Sequence, residues 1–210
     1  MGALTNFAEN KIVDAVLRAQ ALGAPASMYV GLIRATLGYS NTNRSTAVST
    51  GATIVPATPN GRLYRCTTAG TTGAGEPTWP TTAGGTVTDG GAVWTEMTPD
   101  FEAGLNLTEV SGGSYARVQV TAALTAWAGT HAAASVIASS GVTGTTSNNA
   151  AITFPAPSAN WGVIFGAMLY SASSAGDPWL YGALATLKTV NNGDPAPTFN
   201  AAAFTFQIDN

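Results

Sequence analysis

The hydrophobic residues near the start of the chain recur with the period of an α-helix. Those that lie on one face or lead into it are Phe7, Ile12, Val13, Val16 and Leu17. Asn6 and Glu9 have the spacing of a capping box, in which two side chains satisfy backbone N–H groups at a helix start. Gly23 and Pro25 are expected to end the helix, because glycine accepts a positive φ and proline cannot continue a helix. The apolar face predicts docking, either on the sheet of the same chain or as a helix seam at an oligomer axis.

From residue 27 onward the pattern changes to short apolar runs that are typical of β-strands. A buried strand is predicted at 28–33, and the later candidates are 115–120, 151–154, 162–170, 179–184 and 204–208. Turn signals rich in proline, glycine and asparagine separate these later runs. The pattern indicates a mainly β fold, which we expect to be an antiparallel β-sandwich or jelly-roll-like body with one N-terminal α-helix. The alanine-rich stretch at 121–140 is predicted to be a loop with a short helix.

Residues 38–103 have the character of a separate unit. The segment has its own aromatic residues, the turn signal Asn60-Gly61 and several short β-type runs, so we predict a small β-rich module. Excising it leaves a coherent body made of residues 1–37 and 104–210. Insertion at a surface loop is a well-tolerated way to add such a module. We therefore expect a discontinuous body with an inserted module.

The composition is unusually poor in charge and changes the expected surroundings of the protein. Only 9% of residues are Asp, Glu, Lys or Arg, against roughly 25% in an average domain. A surface of small neutral residues fits a protein packed against copies of itself or against a larger assembly. The net charge is −3, and the 8 Lys and Arg residues are scattered, so we expect no nucleic-acid binding.

The same composition argues against a membrane or disulfide-dependent protein. The longest apolar run, 162–170, is about half of the roughly 20 residues that a membrane helix needs, so no membrane insertion is expected. The N-terminus lacks a signal-peptide pattern. Cys66 is the single cysteine, which excludes an internal disulfide and fits folding in a reducing cytoplasm.

Catalytic and metal chemistry find little support in the sequence. His131 is the one histidine, and it lies in the alanine-rich stretch without an acidic neighbour, whereas a catalytic triad or a metal site needs clustered partners. A glycosidase would need two carboxylates across a cleft; the candidates are Glu76, Asp89, Glu96, Asp100 and Glu102. Nothing fixes their geometry. We predict no enzyme activity, no metal and no cofactor.

Several runs resemble one protein family in the expected order. They are LTNF at 4–7, MYVGL at 28–32, TEVSGGSYAR at 108–117, NAAITFP at 149–155, YGAL at 181–184 and KTVNNGD at 188–194. Together they resemble small bacteriophage tail-fibre-like virion structural proteins. The resemblance implies a non-enzymatic virion component, tail-fibre-like or a capsid-surface decoration protein, which acts through subunit packing. Its expected partners are other virion proteins and copies of itself, for which a trimer is the candidate arrangement. Its expected location is the virion, assembled in the bacterial cytoplasm.

The predicted module resembles a small unit found in many phage structural proteins. The matching runs are YRCTTAG at 64–70, EPTWP at 76–80 and TDG at 88–90. That unit is distantly similar to carbohydrate-binding modules, which implies a receptor or glycan-binding alternative with a host surface glycan as partner. The candidate stacking residues are Tyr64, Trp79 and Trp94, because aromatic faces pack on the apolar faces of sugar rings. The competing interpretation, which weighs more, is that a module this small needs these rings for its own core.

Overall fold

The computed structural model describes residues 2–38, 43–128, 139 and 144–207. The elements in chain order are β1 (Gly2–Leu4), α1 (Asn6–Leu17), β2 (Ser27–Ala35), β3 (Ala47–Val48), β4 (Thr53–Ile54), β5 (Tyr64–Thr68), β6 (Gly70–Thr71), β7 (Thr86–Asp89), β8 (Ala92–Glu96), α2 (Thr98–Ala103), β9 (Val118–Thr121), β10 (Thr145–Ser147), β11 (Ile152–Thr153), β12 (Gly162–Tyr170), β13 (Pro178–Val190), β14 (Thr198–Phe199) and β15 (Thr205–Gln207). Strands dominate, and the pairings described are almost all antiparallel. The prediction of a mainly β fold with an N-terminal helix is confirmed.

The body is built on a five-stranded antiparallel sheet in the order β1-β13-β12-β2-β9. Two short two-stranded ladders, β10–β15 and β11–β14, lie over one face of this sheet. The core between the two layers contains Val30 and Leu32 from β2, Trp161 beside β12, and Phe204 and Phe206 near the C-terminal end of the described chain. Alternate residues of β2 point to opposite faces, and this sheet is buried on both.

The second face of the sheet is covered by residues 55–101. Val55, Leu63, Met97 and Phe101 from this region pack with a body set that contains Ile33, Ala35, Val163, Phe165, Met168 and Tyr170. Because both faces are covered, β12 is a continuous apolar run and not an alternating one.

The predicted module contains a four-stranded antiparallel sheet in the order β4-β5-β8-β7 and a core of its own. It is tied to the end of β2 by Thr36 and Thr53, each of which accepts the backbone N–H of the other on its hydroxyl, at 2.9 and 2.7 Å. The boundaries 38–103 stay a prediction. The shared core shows that residues of this segment pack directly against the body sheet and do not form a separate domain joined by a flexible linker.

The ends of α1 differ from the sequence prediction. Thr5, not Asn6, caps the helix: its hydroxyl accepts the N–H of Ala8 at 3.3 Å and donates to the carbonyl of Pro178. The contact with β13 fixes Thr5 and so fixes where the helix begins. The helix ends at Leu17, well before Gly23 and Pro25, because the backbone turns left-handed at Ala19 (φ 54°).

Two further features were not expected from the sequence. The first is α2, which begins after Met97 and ends at Gly104 in the left-handed conformation. The second is a large bulge in β13. Gly166 pairs with Ala183 and Ile164 pairs with Lys188, so residues 184–187 lie opposite Phe165 alone. A bulge of this kind bends a strand and interrupts its pairing.

Most predicted strands exist but have different bounds. The run 115–120 is β9 at Val118–Thr121, the run 179–184 extends to Val190, and 204–208 is β15 at Thr205–Gln207. Ile208 lies outside the described residues, as does most of the predicted loop at 121–140, including His131.

Candidate functional site

The three predicted stacking residues do meet in the module. The ring centroids of Tyr64 and Trp79 are 4.5 Å apart, and those of Trp79 and Trp94 are 6.1 Å apart. Tyr64 and Trp94 are completely buried, whereas Trp79 is partly exposed. Trp79 is thus the member of the trio that keeps exposed surface, and it packs against the module core that contains the other two.

The polar groups of the trio are held by internal hydrogen bonds. The Trp79 indole N–H donates to Oε1 of Glu76 at 2.7 Å, and the Tyr64 hydroxyl donates to the carbonyl of Pro80 at 2.7 Å. Burial raises the pKa of Tyr64, although the hydrogen bond from Asn60 opposes this shift. The contacts with Glu76 and Tyr64 therefore fix the orientation of the Trp79 ring.

The carboxylates considered for glycosidase chemistry are mostly engaged in structural contacts. Asp89 accepts from Arg44 at 2.9 Å, from the N–H of Gly73 and from Trp94. Glu96 is buried and accepts from Arg62 at 2.9 Å, from Thr98 and from the N–H of Gly84.

Two other carboxylates are held in the same way. Asp100 pairs with Arg65 at 3.1 Å, and Glu76 bonds to Trp79. Asp100 is half-buried and Glu76 is exposed, and in both the contact fixes the orientation of the carboxylate. Within the described ranges no cluster of three or more His, Cys, Asp or Glu residues could hold a metal ion.

The predicted assembly helix keeps much of its apolar face in solvent. Phe7 packs edge-on against Trp179 with 5.4 Å between ring centroids, and Ile12 is half-buried. Val13, Val16 and Leu17 are exposed by 49%, 73% and 77%. The structure therefore packs α1 against β13 and α2 and leaves the side chains of Val13, Val16 and Leu17 exposed.

A groove that the sequence did not reveal lies between β13 and β14. Its volume is about 420 Å³, and its lining is mainly apolar: Leu32, Phe154, Ile164, Leu184, Ala185, Val190, Phe199 and Ala203, with Thr186, Lys188, Pro197 and Thr198 at its edges. A smaller cavity of about 120 Å³ adjoins it and shares Leu184, Ala185, Phe199 and Ala203. The β13 bulge forms one wall of both. No sequence signal marks this groove, because it depends on the register between β12 and β13.

A partly buried ionic network lies on the face of the body sheet opposite to the groove. Arg117 donates to Glu109 at 2.7 and 2.8 Å, and to the carbonyls of Ala172 and Ala175. Its guanidinium lies 3.4 Å from the centre of the Tyr170 ring, which is a cation–π contact. The Tyr115 hydroxyl donates to Glu109 at 2.8 Å.

This network joins residues 109–117 to Tyr170 at the end of β12, to the loop at 171–177 and, through the Leu32 N–H that donates to the Tyr115 hydroxyl, to β2. Burial, reinforced by the Glu109 charge, raises the pKa of Tyr170 to about 12 and raises that of Tyr115 as well. The sequence placed Glu109, Tyr115 and Arg117 in one family-like run but gave no hint of their contacts, because Tyr170 is distant along the chain.

Two further findings concern the classes of protein considered. No helix in the described part of the chain is long and apolar enough to cross a membrane. Cys66 is buried, and burial raises the pKa of its thiol.

A protein-family model matches more than half of the chain. A family model described as podophage GP4 fiber I protein gp80 matches residues 92–207. This segment begins with the first residue of β8 and ends with the last residue of β15, so it includes α2, the body-sheet strands β9, β12 and β13, and every residue that lines the groove except Leu32. No curated protein matches the chain.

Proposed function

The chain belongs to the family of the podophage GP4 fiber I protein gp80, and from this premise we propose that it is a non-enzymatic structural component of a phage virion. The family match over residues 92–207 is the observation that carries this proposal. We place the protein in a tail fibre and not on the capsid surface, because the matched family is a fibre family. It is assembled in the bacterial cytoplasm and kept in the virion.

Subunit packing is the proposed mode of action. Only 9% of the residues are charged, and α1 exposes three large apolar side chains on its last two turns. Burying apolar surface is the dominant favourable term in association, at about 25 cal/mol per Å². We propose that copies of this chain, expected to be three, bury these surfaces against one another and against other virion proteins.

The pairing of the buried carboxylates supports a structural role. Asp89 and Glu96 are saturated by arginine, hydroxyl and backbone donors, so neither is poised to exchange a proton with a substrate. A general acid or base needs an accessible lone pair or proton near the reacting bond.

The location in the particle is tested by quantitative mass spectrometry of purified virions, followed by immunogold labelling of the exposed module loop around Ala74. We expect the chain in stoichiometric amounts, with label at the tail. Label spread over the head would replace the fibre role by a decoration role. Virions that lack the chain would overturn the structural proposal.

A second candidate function is glycan binding through Trp79. The specific observation in its favour is that Trp79 is partly exposed and held in place by Tyr64 and Glu76. One aromatic ring on a sugar face contributes about 1 kcal/mol or somewhat more. We propose that a neutral host-surface saccharide stacks on this ring.

Binding of the purified chain to host polysaccharide tests this second function. Trp79→Ala should weaken binding about tenfold, which corresponds to roughly 1.4 kcal/mol, whereas Trp79→Tyr should keep most of it because an aromatic face remains. Equal binding by the Trp79→Ala and unmodified chains, both folded by circular dichroism, would refute glycan stacking.

A further inference from the structure

We propose that the exposed face of α1 in one copy docks into the groove beside β13 in a second copy, in a head-to-tail contact. The inference rests on the proposed function, because it names the surfaces through which subunits pack. Every chain carries both surfaces, and in a single copy each of them remains exposed to solvent.

The helix face has an acidic end and an apolar end. Glu9, Val13, Val16 and Leu17 are spaced i, i+4, i+7 and i+8, which places them on one face. All four are exposed. At 1.5 Å rise per residue the face runs about 12 Å from Glu9 to Leu17. Asp14, the other acid nearby, is already paired with Arg18 at 2.8 Å.

The groove has a matching polarity. Lys188 lies at its edge, and Leu184 and Ala185 continue the wall. Residues 184–187 bulge out of the ladder opposite Phe165, between the pairs Ile164–Lys188 and Gly166–Ala183, so Leu184 and Ala185 lie close to Lys188. The groove and its neighbouring cavity are large enough for side chains, at about 420 and 120 Å³.

A second cation strengthens the positive end of the groove. Arg34 pairs with Ile164, and Ile164 pairs with Lys188, so the three residues form one row on the same sheet face. Neither cation has an acidic partner in the part of the chain that the structure describes. The Nε of Arg34 is buried and has no hydrogen-bond acceptor.

The complementarity fixes one orientation of the contact. Glu9 meets the Lys188 end, and Val13, Val16 and Leu17 enter the groove toward Ala185. A contact between two different surfaces is heterologous, and it closes into a ring when the rotation between subunits permits. This geometry is consistent with the trimer expected for the protein.

The contact is tested with two single variants of the full chain. Val16→Asp places a charge on the helix face, and Ala185→Asp places one in the groove; both positions are exposed, so the fold should tolerate them. Sedimentation velocity should show that each variant alone self-associates more weakly. The dissociation constant for self-association should be at least tenfold higher than that of the unmodified chain. Ala74→Asp, at an exposed site in the module, is the matched control and should assemble normally.

Mixing the two variants gives the decisive result. The Ala185→Asp chain keeps an intact helix face and the Val16→Asp chain keeps an intact groove, so a 1:1 mixture should form a heterodimer that stops at two subunits. A charge reversal gives a second test. Glu9→Lys should weaken assembly, and Lys188→Glu in the same chain should restore it.

Three other outcomes would count against the contact. Loss of assembly in Val16→Asp but not in Ala185→Asp would show that helices pair with each other. Unchanged assembly in both variants would refute this interface and leave the virion role standing. An unmodified chain that stays monomeric at every concentration would overturn self-packing, and with it this part of the proposed function.

Discussion

The Arg117 side chain links several parts of the body. It pairs with Glu109, donates to two loop carbonyls and covers the Tyr170 ring. Gly31 leaves the space that this arrangement needs, because a Cβ there would lie 2.7 Å from Oε1 of Glu109 and 2.9 Å from the Tyr170 ring. Removing one partner of a fully buried ion pair costs about 3–5 kcal/mol, and we expect a smaller cost here because the Glu109 side chain is 24% exposed. The network therefore ties residues 109–117 to β2, to β12 and to the loop at 171–177.

Tyr170 makes this part of the fold sensitive to alkaline pH. Burial is the main reason that its pKa is about 12 when folded, and the Glu109 charge adds to the shift, whereas the unfolded value is about 10. A raised tyrosine pKa means that the stabilisation is complete below pH 10 and is lost as the pH rises toward 12. We expect the free energy of unfolding, measured by urea titration, to fall across this window.

The contribution of Tyr170 is isolated with Tyr170→Phe. The fall between pH 10 and 12 should be shallower in this variant, with the remainder due to Tyr64, Tyr115 and Tyr181, whose pKa values are also raised. Between pH 7 and 9 the free energy of unfolding should vary with pH in the same way for Tyr170→Phe and for the unmodified chain. Identical slopes above pH 10 would mean that Tyr170 ionises as freely in the folded chain as in the unfolded one.

At the scale of elements, the sequence identified the helix and the long strands but not where they end. The spacing of Ile12, Val13 and Val16 was enough for α1, because amphipathic periodicity is a local signal. Its first residue depends on a hydrogen bond between Thr5 and Pro178, which no local pattern contains. The same holds for the bulge in β13, which exists only relative to β12.

The candidate site was predictable to a similar extent. Composition singled out the aromatic residues of the module, and the structure brings Tyr64, Trp79 and Trp94 together. Which of them is exposed could not be predicted, because it depends on how β5 and β8 pair. The short helix α2 did carry sequence signals, namely Pro99 near its start and Gly104 after its end. Our prediction nevertheless included no helix at this position.

The molecule as a whole is held together by a sheet that is covered on both faces. Residues 38–103 provide the cover for one of them, through Leu63, Met97 and Phe101 among others. Each large apolar side chain that loses its cover costs about 1.5–3 kcal/mol, and a domain has only about 5–15 kcal/mol of net stability. The predicted module is therefore part of the core and not an accessory to it.

Deleting residues 38–103 and joining 37 to 104 should consequently prevent folding. We expect the shortened chain to lose its cooperative thermal transition and to bind a hydrophobic dye, because Ile33, Val163, Phe165 and Met168 become exposed. The Trp79→Ala chain, which loses a single partly exposed ring, serves as the control and should still unfold cooperatively. A shortened chain with an intact transition would show that the body folds independently.

The pairing of β2 with β12 also determines the order in which parts of the chain can fold during synthesis. Tyr29 can pair with Tyr170 only after the 140 residues between them have been synthesised, whereas β4, β5, β7 and β8 pair with near neighbours and can form earlier. The groove lies between β13 and β14, which are translated long after α1. A growing chain therefore exposes its helix well before its own groove exists, and the proposed contact has to wait for the synthesis of β13 and β14.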